Sequence, residues 1–272
     1  MPTLREVVGV LDGLYDPLWA DDWDAVGTVA GDPDAEVAKI LFAVDPVQDV
    51  VDEAVAWGAD LVVTHHPLWL RGVTSVAASS PKGRVVHTLI SNGIGLHTCH
   101  TNADSPPLGV SESMALTLGL SDIRPLEPDP DGPGDRGSGR IGTLSTEMTL
   151  DSFAAYVAES LPTHRSATRV AGDPSTVINT AALCGGSGDF LLAAADAAGA
   201  DVYVTSDLRH HPVSEHFETP GACAVIDVPH WAAEWTWLPV ASAAVADRLD
   251  GVEVKVSTII TDPWSSAIVA DR

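Results

Sequence analysis

The sequence predicts an α/β protein made of two similar α/β lobes related by approximate internal two-fold symmetry. Three observations lead there. Apolar, strand-like runs alternate with amphipathic helical stretches; one ordered series of features occurs twice; and a Pro- and Gly-rich stretch falls between the two copies.

In chain order, Leu4, Val7, Val8, Leu11 and Leu14 give residues 1–16 the spacing of an amphipathic helix rather than a leader peptide. The run Ile40 to Val44 reads as a strand. Asp45 then offers an N-cap and Pro46 a first helical position, and Val47, Val50, Val51, Ala54 and Val55 share one helix face. Gly58 stands where a left-handed C-terminal cap is wanted. Leu61 to Thr64 is a buried strand ending in His65-His66-Pro67. A helix over about 83–91 leads to the strand Ile94 to Cys99, which ends at His100-Thr101-Asn102-Ala103-Asp104.

Residues 127–140, crowded with Pro, Gly and Asp, are a loop or boundary. The first lobe is therefore placed at 1–126 and the second at 141–272, with residues after about 229 open to packing back on the first.

The repeat supports this division. Gly58-Ala59-Asp60 followed by a strand closing on Thr64 matches Gly199-Ala200-Asp201 followed by a strand closing on Thr205. His65-His66-Pro67 matches His210-His211-Pro212. Each copy then has a strand, Ile94 to Cys99 or Ala222 to Val228, followed by a histidine and an acid four residues later: His100 with Asp104, His230 with Glu234.

Composition narrows the function. With 38 acidic and 14 basic residues the formal charge is −24, and only Lys39, Lys82 and Lys255 are lysines, so a phosphate backbone is a poor partner. Cys99, Cys184 and Cys223 are isolated beside apolar runs and read as small core residues rather than disulfides or a thiolate zinc knot. No stretch is long enough to cross a membrane. A reducing, cytoplasmic location is expected.

Three signals carry chemistry. Adjacent His65 and His66 at a strand end point in different directions, which suits two neighbouring ions better than one; a capped strand is the alternative. His230 and Glu234 share a face if the chain after the strand is helical, as converging metal ligands require; an ordinary surface pair is the alternative. Asp104 lies just past a strand before Pro106-Pro107 and reads either as a ligand or as a turn former. Imidazole and carboxylate without thiolate suit zinc, iron or manganese. Trp231, Trp235 and Trp237 are expected in the core, and Pro239 is expected to end or bend a helix. Gly185 to Gly188 is expected to form a tight turn before a helix at Phe190, whose first amides either take an anion or simply cap.

The segments Trp23-Asp24-Ala25-Val26-Gly27, Val63-Thr64-His65-His66-Pro67, His100-Thr101-Asn102-Ala103-Asp104, Gly185-Gly186-Ser187-Gly188-Asp189 and Asp227-Val228-Pro229-His230-Trp231-Ala232-Ala233-Glu234, in this order, resemble the NGG-one-interacting-factor-three-like family. Its bacterial members carry the label GTP cyclohydrolase I type 2 homologue. The resemblance spans nearly the whole chain. It implies a dinuclear metal site in the cleft, with His65, His66, Asp104, His230 and Glu234 as ligands of two divalent ions and Asp104 and Glu234 as the bridging choices. His100 is then left to act on protons or substrate, as the catalytic candidate. A toroidal homohexamer is also implied. The sequence departs from the family at Thr205-Ser206-Asp207, where relatives have Thr-Gly-acid, and it lacks the long insert of some relatives.

Two functions compete. One is a metal-dependent hydrolase using a metal-bound hydroxide on a small molecule such as a purine nucleotide. The other is a metal-containing binding or regulatory protein without turnover.

Overall fold

The structure is a computed structural model and describes residues 1–268. In chain order its elements are α1 (Leu4–Leu14), β1 (Gly27–Ala30), β2 (Lys39–Ala43), α2 (Gln48–Trp57), β3 (Leu61–Thr64), α3 (Pro81–Ser91), β4 (Gly95–Thr98), α4 (Thr101–Asp104), α5 (Val110–Thr117), β5 (Ser121–Pro128), β6 (Gly137–Thr149), α6 (Leu150–Ser160), β7 (Arg169–Ala171), β8 (Val177–Ser187), α7 (Leu192–Ala197), β9 (Val202–Ser206), α8 (His210–His216), β10 (Ala224–Val228), α9 (His230–Trp235), α10 (Trp237–Ala246) and β11 (Glu253–Val256). They divide into two units. The first comprises Met1–Ala103 and Leu238–Thr261, the second Asp104–Trp237 and the segment from Asp262.

The first unit holds a five-stranded sheet, β1-β4-β3-β2-β11, in which β1 alone runs antiparallel. All four residues of β3 are buried, as a parallel strand covered on both faces requires. Leu41, Val62 and Leu96 meet Val50, Val51 and Ala54 of α2 and Val85, Val86 and Leu89 of α3 in one core cluster. α1 begins in a capping box: Thr3 accepts from the Glu6 amide while the Glu6 carboxylate accepts from the Thr3 amide.

The second unit holds a six-stranded sheet, β5-β6-β8-β9-β10-β7, with β8, β9 and β10 mutually parallel. Tyr203 and Val225 pack there against Leu192 and Ala195 of α7. The segment 127–140, where the sequence places a boundary, lies inside this unit: β5 ends at Pro128, β6 begins at Gly137, and Arg136 pairs with Asp129 across the loop. Behind it Arg140 is fully buried. It donates to the carbonyls of Gly137, Gly139, Ser105 and Pro106 and to the Glu112 carboxylate.

The internal repeat has a physical basis. Gly58 and Gly199 both take left-handed φ, 73° and 76°, and each reverses the chain from a helix into a strand. Two residues later, Asp60 accepts from the amides of Ala38 and Lys39 at 2.8 and 2.9 Å. Asp201 accepts from those of Asn179 and Thr180 at 2.9 and 2.8 Å. In each unit the aspartate ties the start of one strand to the entry of the preceding parallel strand. The echo stops at the second histidine pair, since His210 and His211 begin α8 and are exposed.

Four local expectations change. Asp45 does not cap α2; that position falls to Val47, which makes no side-chain cap bond, because the Asp45 carboxylate is engaged elsewhere. Val47 and Val55 are exposed at the margin of the buried α2 face. Gly185 to Ser187 is the end of a strand rather than a turn, and Gly188 then leads into a short 3-10 helix over Asp189–Leu191. Pro239 lies in the first turn of α10, where its missing N–H costs nothing, so it follows the bend at Thr236 instead of ending a helix. Trp231 and Trp237 are buried as expected.

Candidate metal centre

In the first unit, β3 and β4 run parallel with Thr64 opposite Thr98, so the residues after them emerge at the same end of the sheet. His65 and His66 follow β3 directly, and His100 comes after β4. The three rings form a triangle with centroids 5.2, 5.1 and 5.5 Å apart, and one ring nitrogen from each lies within 4.8 Å of the others. His65 is buried.

Each ring is fixed through Nδ1. His65 donates to the Cys99 carbonyl at 3.0 Å, His66 to Asp45 at 2.7 Å and His100 to Asp24 at 2.8 Å. A carbonyl or carboxylate on Nδ1 selects the tautomer with its lone pair on Nε2 and orients the ring, the arrangement that metal-bound histidines require. Asp45 is in turn held by the Thr261 hydroxyl. Asp24 has a fully buried side chain and also accepts from the Thr101 amide and hydroxyl at 3.0 and 2.5 Å. Burial alone would raise its carboxyl; the donors from His100 and Thr101 outweigh that and hold it well below the usual range.

In the second unit, β10 pairs with β9 so that Val228 lies opposite Ser206, which sets Asp207 beside His230. His230 donates through Nδ1 to Asp207 at 2.8 Å, and its Nε2 lies 2.7 Å from the Glu234 carboxylate one helical turn on. α9 is helical from His230, so the predicted shared face exists. Burial opposes a charge on His230, but the Glu234 and Asp207 carboxylates outweigh it and push the ring up to about 11. The His230 bond holds Asp207 below its ordinary value. Asp207 takes a left-handed φ of 56° directly after Ser206 ends β9.

Glu234 is buried against the end of β8. Gly186 has φ +75°, and a Cβ there would come within 2.7 Å of the Glu234 carboxylate oxygen. Gly186 thus makes room for an acid side chain, while Gly185 does the same for Val110. Asp104 closes α4 and is half-buried. Cys184, near both acids, is pushed up to about 12 by burial, with Asp104 and Glu234 adding to the rise.

The structure therefore gathers His65, His66 and His100 in the first unit, and His230 and Glu234 in the second. His100 stands in the imidazole cluster with the same Nδ1 anchoring as its two neighbours. Asp24, Asp45 and Asp207 are the residues that sequence reasoning did not assign to the site. Asp207 had a signal, as the acid kept in a departing motif; Asp45 was hidden by its resemblance to a helix cap. Asp24 lies 76 residues from His100 and had only its place in a family motif.

Beside His66 and His100 lies a cavity of about 540 Å³, lined chiefly by Pro46, Val47, Leu68, Leu70 and Lys82. Lys82 donates to the Leu68 carbonyl at 2.5 Å. Among the described residues no helix is long and apolar enough to cross a membrane.

The sequence matches the family model described as Duf34/NIF3 (NGG1p interacting factor 3) over residues 2–263. A Streptomyces coelicolor protein named GTP cyclohydrolase 1 type 2 homolog is 51% identical over 275 residues, covering 99% of this chain and 96% of that one. A Mycobacterium leprae protein of the same name is 33% identical over 368 residues, covering 96% and 95%; against the 272 residues here, it carries segments that this chain lacks. In fold, the chain is similar to the crystal structure of a Bacillus cereus protein related to NIF3, with a TM-score of 0.89 and 22% identity over 97% of this chain and 99% of that one. The chain belongs to the Duf34/NIF3 family.

Proposed function

We propose that this protein is a metal-dependent hydrolase of a small molecule, and that His65, His66, Asp104, His230 and Glu234 are the ligands of two divalent transition-metal ions, zinc, iron or manganese. The observation that carries the reading is the common anchoring of the imidazoles. Four rings, those of His65, His66, His100 and His230, each give Nδ1 to a carbonyl or carboxylate. That pattern engages the Cys99 carbonyl and the Asp45, Asp24 and Asp207 carboxylates and orients Nε2 in every case. The donor set fits the ions: imidazole and carboxylate, without thiolate, suit all three metals.

When bound, a pair of such ions neutralises charge on a substrate oxygen and lowers the pKa of water. The chain's own residues do the rest. Glu234 and Asp104 supply negative charge, with Glu234 held in place over the Gly186 backbone. His100, steadied by Asp24, holds or passes a proton at Nε2. Pro46, Val47, Leu68 and Leu70 offer apolar walls for a ring, and Lys82 offers a cation for an anionic group.

These features fit a nucleotide, and the names of the relatives point to a purine nucleotide as the first substrate to try. The family resemblance supports a homohexamer, and the cysteine usage supports the cytoplasm. Turnover of nucleoside triphosphates by metal-loaded wild type, lost in His66→Ala, is the expected result. Turnover that is unchanged in that variant would count against the hydrolase. Absence of turnover with metal fully bound would favour a metal-containing regulatory or binding protein.

A further inference from the structure

A second group of ligand-type side chains lies in the second unit, apart from the residues just described. Asp196 is on α7, His216 ends α8, and Cys223 immediately precedes β10. One atom from each lies within 4.8 Å of the other two, and His216 and Cys223 are buried. We propose that Asp196, His216 and Cys223 form a separate zinc-class site that binds one thiophilic divalent cation, with solvent as the remaining ligand.

Geometry separates this cluster from an ordinary histidine–carboxylate pair. His216 donates through Nε2 to the Cys223 carbonyl at 2.9 Å, which leaves Nδ1 directed at Asp196. Nδ1 stands 3.4 Å from the Asp196 carboxylate, whereas His66, His100 and His230 meet their carboxylates at 2.7, 2.8 and 2.8 Å. Two ligands about 2.1 Å from a tetrahedral ion are about 3.4 Å apart, which is the edge of a zinc coordination tetrahedron. Asp196 Oδ1 accepts from the Cys223 amide at 2.8 Å, which keeps the carboxylate turned toward the cysteine. The carbonyl on Nε2 is the kind of partner that fixes a metal-binding tautomer.

The chemistry of the trio is balanced for a borderline cation. One thiolate, one imidazole and one carboxylate favour zinc or cobalt over magnesium or calcium. Burial, reinforced by Asp196, pushes the Cys223 thiol well up, so the sulfur keeps its proton until a cation displaces it. Binding then forms a metal–sulfur bond and releases that proton to solvent; no electron is transferred. The Asp196 side chain is 20% exposed, which gives the ion a route in. The formal charge of −24 favours entry of any cation.

Cobalt(II) titration of the full chain tests the proposal. The five ligands proposed for the dinuclear centre include no sulfur, so a near-ultraviolet sulfur-to-cobalt charge-transfer band reports this cluster alone. The band is expected to reach the intensity of one cobalt–thiolate bond per chain in wild type and in Glu234→Gln. It should disappear in Cys223→Ser, while His216→Gln, which retains a donor for the Cys223 carbonyl, should weaken cobalt affinity at this site at least tenfold. Cys99→Ser and Cys184→Ser should leave the band intact. A wild-type protein without the band, or a band that survives both Cys223→Ser and His216→Gln, would overturn the proposal.

Discussion

Asp207 takes a left-handed backbone to place its carboxylate 2.8 Å from His230 Nδ1, and that ring in turn reaches Glu234 at 2.7 Å. The chain thus holds a proposed ligand through a residue whose own conformation is unfavourable for most side chains. Asp207→Asn keeps the shape and loses the charge. It is expected to lower metal affinity by about 10- to 100-fold, the usual effect of losing a partner behind a ligating histidine. Asp45→Asn should do the same through His66. Competition titration against a chelator measures both.

Gly186→Ala is expected to damage the second-unit ligands without unfolding the chain. Its φ of +75° strains any side chain, and the new Cβ would sit 2.7 Å from the Glu234 carboxylate oxygen. Glu234 must turn away. Circular dichroism should remain native-like while bound metal falls. A variant that binds metal with wild-type affinity would show that Glu234 is not held there for a ligand's purpose.

Much of this site is written in the chain, for identifiable reasons. His65, His66 and His230 follow strands whose apolar runs are unambiguous, so their place at strand ends follows from local pattern alone, and Glu234 lies one helical turn after His230 in α9. The aspartates behind them were not readable in this way. Asp45 sits just where a helix cap would, and only the fold shows that His66 and Thr261 take its carboxylate instead. Likewise Gly185 and Gly186 look like a turn, but they extend β8, where a Cβ on Gly185 would meet Val110 and one on Gly186 the buried Glu234 carboxylate. The repeat was legible through Gly-Ala-Asp, whose aspartate does the same work in both units. It misled at His210 and His211, where the copied residues open an exposed helix.

That shared work can be measured. Asp60→Ala and Asp201→Ala each strip a carboxylate from two strand amides, and each is expected to cost about 1–3 kcal/mol in urea denaturation. Because the two residues share no partner, the double variant should lose close to the sum of the single losses.

His97 supplies a pH dependence away from the metal ligands. It is buried in β4, its Nδ1 lies 3.0 Å from the Thr28 hydroxyl, and burial lowers it to about 4 from 6.5. Between those values the unfolded chain binds a proton that the folded ring refuses, so stability falls as pH drops from 6.5 toward 4. The loss approaches about 3 kcal/mol at the lower end. His97→Gln should flatten this part of the stability profile, read by denaturation at a series of pH values.

The central proposal is that His65, His66, Asp104, His230 and Glu234 hold one pair of ions. It is tested by counting metal in protein carrying Cys223→Ser, so that the thiolate site does not contribute. Elemental analysis should find close to two transition-metal ions per chain, and His66→Ala in the first unit and Glu234→Gln in the second should each remove most of both. A single ion per chain, or two ions of which each variant removes only its own, would contradict a shared dinuclear centre.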